Sequence, residues 1–401
     1  MYIEIGQYLG QDGVWIENDE TRLFVQAFGG MTPEFSRKMH SQTGDYWLNA
    51  HWLPHFKSPF SGKLNKQNPA EKAYWGVELL RQAAGCFPCA PAFGPGNQRV
   101  PTHGDTANTD WQLTSAEQVE ADGRKFARAT WSLAGNYEQL CYRKADYLRD
   151  DDGSHYMVMT VENTTNHDVP INLAWHTTLG APFLERGCWI LDNCDEYQVS
   201  PEGTEFDATS SLKLGSSFPS LSQAPMLSGA SKDLSVMPGY NGSAEFISGT
   251  SSSKQVLWSA CYNPYFNLVY VSAVPLEQLS DQVSPSFMNY WIHSGGRDAV
   301  PWADYPGGPD RNYALGLECS IGGSCKGYDW SLEQPCMLNK PTNYNLEAHS
   351  AISFVCINSF FTPNFASKVE TVSSLDKSQL KVLIERHIDT LDISFSGLHA
   401  R

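Results

Sequence analysis

Three side chains in this sequence have the type and setting that proton transfer asks for. His176 closes the apolar run "VPINLAWH" (169–176) and precedes a turn rich in small residues. Glu318 ends "YALGLE" (313–318), flanked by Leu317 and Cys319 and followed by a Gly-rich turn. His103 stands in "RVPTHGDTANTDWQL" (99–113), followed directly by Gly104. Imidazole titrates near neutral pH, so it serves as acid or base. Burying a carboxylate is costly, so Glu318 signals either an ion pair or a functional base. Taken singly, each residue also has a plain reading, as a satisfied core or surface histidine or as a salt-bridged carboxylate.

Other polar groups carry weaker signals. Arg99 and Asn108 flank His103 as possible hydroxyl contacts, and His293 lies on a predicted strand, "NYWIHSGG", where a structural role is equally open. Cys86-Phe-Pro-Cys89 has the spacing of a redox pair or half a zinc site, but no second ligand pair follows. It reads as an inert pair on a loop. His51 and His55 are four apart, yet Pro54 between them disfavours one helical face, so a loop that could roof a cleft is expected there. Asn163 and Asn241 begin glycosylation sequons, which mean little without a secretory signal.

These residues need elements to hold them, and most of those elements read as strands. Strand composition recurs over 22–28, 125–133, 155–163, 169–176, 255–260, 265–273, 287–293, 313–319 and 351–358. Gly, Pro, Asn, Ser and Asp clusters join them, a pattern of antiparallel sandwiches or barrels. Helices are expected over 69–85, between Pro69 and Gly85, and over 375–387, where Leu380, Leu383 and Ile384 share one side. The second could cover a sheet edge or serve a homodimer contact. Residues 207–254 are rich in Ser, Gly, Thr and Ala and read as a long irregular excursion with short strands. With no clean linker and no internal repeat, one large β domain over 1–365 with a C-terminal helical extension over 366–401 describes the chain better than two domains.

Composition narrows the partners. Among 401 residues, 28 Lys and Arg oppose 44 Asp and Glu, for a net charge of −16. An acidic chain repels phosphate backbones, which argues against nucleic acid. No apolar run is long enough to span a membrane, and the N-terminus lacks the features of a signal peptide. The expected setting is cytoplasmic, with the ten cysteines mostly buried as small hydrophobes. Twelve Trp, 18 Tyr and 19 Phe, with 32 Gly and 23 Pro, favour strands and turns. Aromatic faces also stack on the C–H faces of sugars, which makes carbohydrate a plausible ligand, although a large aromatic core is the alternative.

In order and spacing, the polar segments resemble the aldose 1-epimerase, or galactose mutarotase-like, superfamily. His103, Gly104, Asn108 and Trp111 match its first motif, with Asp105-Thr106-Ala107 in place of the usual aromatic-x-Arg core. "VENTTNHDVPINLAWH" (161–176) matches the strand pair that ends in the catalytic histidine, "YALGLE" the strand that ends in the catalytic glutamate, and "YNLEAHSAISF" (344–354) the closing strands. The chain departs at His176-Thr177-Thr178, where the family continues His-Pro-Tyr-Phe. "NPYFNL" (263–268) looks more like that continuation, but it begins with Asn263, which cannot deliver a proton, and it comes too late in the chain.

The resemblance implies a large antiparallel β-sandwich (supersandwich) with a few peripheral helices. It implies an isomerase that interconverts sugar anomers by opening the ring, with no cofactor or metal. Glu318 would be the base and His176 the acid, with His103 hydrogen-bonding near the ring oxygen. Arg99, Asn108, Tyr262, Asn263 and His293 would contact hydroxyls. The family's acidic hydroxyl clamp has no counterpart near residues 256–266. The expected ligand is a monosaccharide or close derivative. A carbohydrate-binding protein without turnover, or a lyase or hydrolase on the same fold, remains the alternative, because a fold does not fix the chemistry.

Overall fold

The structure is a computed structural model that describes residues 1–53, 69, 78–121, 124–150, 152–254, 256–276, 280–296 and 313–362. Two large antiparallel sheets dominate it. One has eight strands in the order Trp189–Asp192, Val256–Asn263, Leu268–Pro275, Ala351–Phe361, Ser154–Asn163, Leu140–Arg149, Arg124–Ala134 and Gln112–Ala121. The other runs from Ser217–Phe218 through Glu196–Val199, Ser243–Thr250 and Phe287–Ser294 to the segment 313–321, then Leu173–Leu179 and Cys86–Cys89. A five-stranded meander, from Tyr2–Tyr8 to Tyr46–Asn49, precedes them. The β-sandwich expected from the sequence is the fold observed.

The core lies where the two sheets face each other. Trp175, Tyr290 and Leu315 of the second sheet join Val158, Tyr270 and Phe354 of the first in one buried cluster. Trp175 Nε1 donates across the interface to the carbonyl of Phe354 at 3.3 Å, so the indole N–H is satisfied in an apolar setting. Side chains alternate along a strand. Residues 173, 175, 177 and 179 therefore turn toward this core, and Ala174, His176 and Thr178 turn to the opposite face. The strand is buried on both faces, which is why its first half, Leu173-Ala174-Trp175, reads as an apolar run.

Several expectations need correction. Cys86–Cys89 is a fully buried strand, not a loop, and pairs with residues 174–177. Its two cysteines are free thiols. The excursion over 207–254 contains short pairings, as expected, but ends in Ser243–Thr250, an eight-residue strand deep in the second sheet. Small side chains let it pack between neighbours, and that smallness disguised it as loop. Of the helix expected over 69–85, the described part shows Pro69 in helix and a 3-10 turn at Glu78–Arg81. Residues 70–77 of that segment, together with His55, the helix expected over 375–387 and the extension over 366–401, lie outside the described residues.

Candidate functional site

Strand register alone brings His176 and Glu318 together. Tyr313–Gly316 and Glu318–Ile321 keep one register against Phe287–Ser294 and one against Leu173–Leu179, so the break at Leu317 does not shift the pairing. Trp175 faces Cys319, Thr178 faces Gly316, and Leu317 N–H donates to the Thr177 carbonyl at 2.8 Å. His176 is thereby set opposite Glu318. Phe87 on the next strand faces His176, and Asn289 on the other side faces Glu318. The result is a row, Phe87–His176–Glu318–Asn289, across four adjacent strands on the face turned away from the core.

The side chains meet as the backbone predicts. His176 Nε2 lies 3.4 Å from Glu318 Oε1. Phe87 stacks on the His176 ring, with centroids 4.5 Å apart and planes 12° off parallel. On the imidazole's other nitrogen, Thr178 Oγ1 lies 3.1 Å from Nδ1. Gly316 gives the carboxylate its place, because a Cβ built there would fall 2.3 Å from Glu318 Oε1. Asn289 Nδ2 donates to the Glu318 carbonyl at 3.0 Å and to Ser320 Oγ at 2.8 Å, which fixes the strand beneath the carboxylate.

His103 reaches the same place from a loop. Its backbone is left-handed, with φ 62°, and Gly104 follows at φ 78°. A Cβ at Gly104 would lie 2.1 Å from the Ala90 carbonyl oxygen, so the loop closes this tightly only with glycine there. Asn108 Nδ2 clamps the loop by donating to the carbonyls of Thr102 and Gly104, both at 2.7 Å. Trp111 Nε1 adds a bond to the Thr106 carbonyl at 2.9 Å. The His103 ring meets the His176 ring edge-on at 4.7 Å. Gly94 N–H donates to His103 Nδ1 at 3.3 Å, which leaves the neutral ring's proton on Nε2.

All three groups line one cavity of about 440 Å³, within the size range of small-molecule sites. Trp52, Phe93, Phe206, Phe246 and Trp291 form much of its wall, and Thr204, Glu205 and Lys326 also line it. Burial governs the charge states. It raises the Glu318 carboxyl well above the usual carboxylate range. It lowers His176 well below the usual imidazole value, with His103 adding repulsion. It lowers His103 to about 4. Neither Glu318 oxygen accepts a hydrogen bond from a described residue.

The remaining sequence candidates stand elsewhere. Arg99 is exposed and pairs with Glu138 over the ring of Tyr137. Asn108 holds the His103 loop rather than the cavity wall. Asn263 and Tyr262 belong to the other sheet. Asn263 Nδ2 bonds the Phe183 carbonyl at 2.6 Å while its Oδ1 caps the turn at Tyr265 and Phe266. Tyr262 hydroxyl donates to Asn267 at 3.1 Å. His293 is buried beside Trp291, with rings 5.9 Å apart, and does not line the cavity. His51 is likewise a core residue, bonded to the Thr32 carbonyl and, at 2.9 Å, to Tyr270 hydroxyl. Sequence reasoning missed Phe87, Thr178, Trp291 and Gly316. The pairing partners of 173–179 were the signal that could have found them.

This architecture recurs in solved structures. A candidate aldose 1-epimerase from Klebsiella pneumoniae superposes with a TM-score of 0.60 at 12% identity, covering 97% of this chain and 87% of that one. A galactose mutarotase-like protein from Clostridium acetobutylicum gives 0.55 at 11% identity, covering 90% and 99%. A candidate mutarotase from Salmonella typhimurium gives 0.55 at 9%, covering 90% and 94%. The chain has the galactose mutarotase-like fold. At these identities the likeness establishes the fold alone. No protein-family model matches the sequence, and no curated protein matches it. Among the described residues, no helix is long and apolar enough to cross a membrane and no cluster of His, Cys, Asp and Glu is arranged to hold a metal.

Proposed function

We propose that this protein is an aldose 1-epimerase-type isomerase that interconverts the anomers of a free sugar. The observation that carries the reading is the pairing of Glu318 and His176 at 3.4 Å on one cavity wall. Ring opening needs one proton taken from the anomeric hydroxyl and one given to the ring oxygen. Glu318 as carboxylate takes the first, and His176 as imidazolium supplies the second. The C1–O5 bond breaks and the open-chain aldehyde forms, leaving a protonated carboxyl beside a neutral imidazole. Rotation about C1–C2 followed by the reverse transfers closes the other anomer and restores both groups.

The total proton count of the pair is the same at both ends of this cycle. Burial favours its uncharged arrangement, the one reached at the aldehyde stage. A raised carboxyl pKa also makes Glu318 a stronger base once ionised. The Nε2–H of His103 is a donor suited to the ring oxygen or an adjacent hydroxyl, and the indole and phenyl faces suit sugar C–H surfaces. The substrate is then a neutral monosaccharide or close derivative. All ten cysteines are free, which fits the reducing cytoplasmic setting assumed here.

The test is to follow freshly dissolved α-anomers of an aldose panel by polarimetry or exchange NMR, with wild type and Glu318→Gln in parallel. At least one sugar should equilibrate faster with wild type. If none does, the isomerase reading fails for that panel. Calorimetric sugar binding without exchange would reassign the cavity to carbohydrate recognition.

A further inference from the structure

Two turns beside the cavity hold their backbones where side chains rarely settle. Among the non-glycine residues with positive φ, His103 at 62° and Ser324 at 57° line the cavity. Their turns brace each other through Gly94. Its N–H donates to His103 Nδ1 at 3.3 Å, and a Cβ built on it would lie 3.2 Å from the Ser324 carbonyl oxygen. Lys326 ties down the Ser324 turn by donating to the carbonyls of Glu202 and Gly203 at 3.0 and 3.2 Å. A left-handed non-glycine residue costs free energy, and where its surroundings enforce it beside a site it points to function. His103 already has a use in the proposed reaction, and Ser324 has none. We propose that Ser324 is a substrate-binding residue whose hydroxyl oxygen accepts a hydrogen bond from a sugar hydroxyl, complementing the donor on His103. The inference rests on the reading of this cavity as a sugar site.

The direction of that bond follows from a chain of neighbours. The Glu318 carbonyl can only accept, so the Asn289 atom 3.0 Å from it is the amide nitrogen, and Oδ1 is left as an acceptor. Ser248 Oγ lies 2.6 Å from that Oδ1 and gives it its single proton. Ser324 Oγ is 3.4 Å from Ser248 Oγ. Of these two hydroxyls, only Ser324 still has a proton to give, and its lone pairs remain for the cavity. At 2% exposure little water competes for them. Register sets Ser248 opposite Asn289 and Asn289 opposite Glu318, so the strands that carry the carboxylate also anchor this hydroxyl. A substrate group that only accepts, such as an ether oxygen or a phosphate dianion, could draw the Ser324 proton only by taking it from Ser248. The contact therefore selects a free hydroxyl over a deoxy, O-methyl or phosphoryl group at the same ring position.

The experiment sets Ser324→Gly and Ser324→Ala beside wild type. Both lose the hydroxyl, glycine suits the left-handed backbone, and thermal melts check that each variant folds. The substrates are an aldose that wild type turns over and its monodeoxy and mono-O-methyl analogues, altered one position at a time away from C1. Each variant should lose about five- to tenfold in kcat/KM on the parent sugar and little on the deoxy analogue of one ring position. Discrimination then vanishes at that position and persists at the others. Folded variants that match wild type on the parent sugar, or that lose equally on the parent and on every analogue, would overturn the proposal. Dissociation constants from calorimetry give the same comparison without turnover. If wild type binds sugars but does not exchange their anomers, the isomerase reading falls while the binding comparison still decides the role of Ser324. A wild type that binds no sugar of the panel overturns both.

Discussion

Gly316→Ala tests whether the observed position of the Glu318 carboxylate is the working one. Gly316 lies outside the left-handed region, so its backbone accepts alanine without strain. The new methyl group would instead meet Glu318 Oε1 at 2.3 Å and Cδ at 3.0 Å. Ordinary contact begins near 3.4 Å, so the carboxylate must retreat by about 1 Å. On the other side, Trp291 Cβ at 3.1 Å blocks the methyl group from yielding. A misplacement of about 1 Å in a reacting group costs on the order of 10²-fold in rate, or about 2.7 kcal/mol of barrier. The lost glycine entropy works the other way on stability, by about 0.4–1 kcal/mol, so the fold should survive. The assay is anomer equilibration on a sugar that wild type turns over, with kcat and KM separated and folding checked by thermal melting. The drop should fall mainly on kcat. A folded Gly316→Ala with kcat within about threefold of wild type would refute the claim that Glu318 acts from this rotamer.

Further outcomes follow from the same geometry. Glu318→Gln should abolish exchange yet stabilise the fold at neutral and alkaline pH. The raised carboxyl pKa means that Glu318 begins to destabilise the fold as pH rises past the ordinary carboxylate value, and the cost grows until the folded-state value is passed. The difference in melting temperature between wild type and variant, measured against pH, reads this directly. His103 and His176 act oppositely: with both lowered by burial, the unfolded chain takes up protons first, so stability is lost as pH falls from about 6.5 toward about 4. His103→Gln should flatten that slope in a pH series of melts. Phe87→Ala should cost about 3–5 kcal/mol in denaturant unfolding, because the ring is 3% exposed and stacked on His176. Arg99→Ala should leave kcat and KM unchanged, since its partners are Glu138 and Tyr137 at the surface.

The fold was legible because strands and turns announce themselves along the chain. "VENTTNHDVPINLAWH" read as two strands around a turn, and Asn163 builds that turn by donating to the carbonyls of His167, Leu346 and Glu347. His176 and Glu318 were legible as an imidazole and a carboxylate at the ends of apolar runs, and His103 through the resemblance of its His-Gly segment to the family pattern. Their neighbours were not, because pairing between distant strands leaves no local mark. Phe87 was hidden in a Cys-x-x-Cys spacing that drew attention to sulfur. Asn263 misled in the opposite way: the polar atoms that suggested a ligand contact are consumed by the turn that follows it. Ser243–Thr250 was lost because small residues in a doubly buried strand look like a loop.

The register that faces His176 with Glu318 bears on how such a site can drift. Its span is set by the distance between neighbouring strands, about 4.8 Å, a length that no rim loop can alter. Loops around the mouth are therefore free to lengthen or change composition while His176 and Glu318 keep their separation. One inserted residue within either strand would do the reverse, turning His176 or Glu318 to the far side of the sheet while the cavity still stood open.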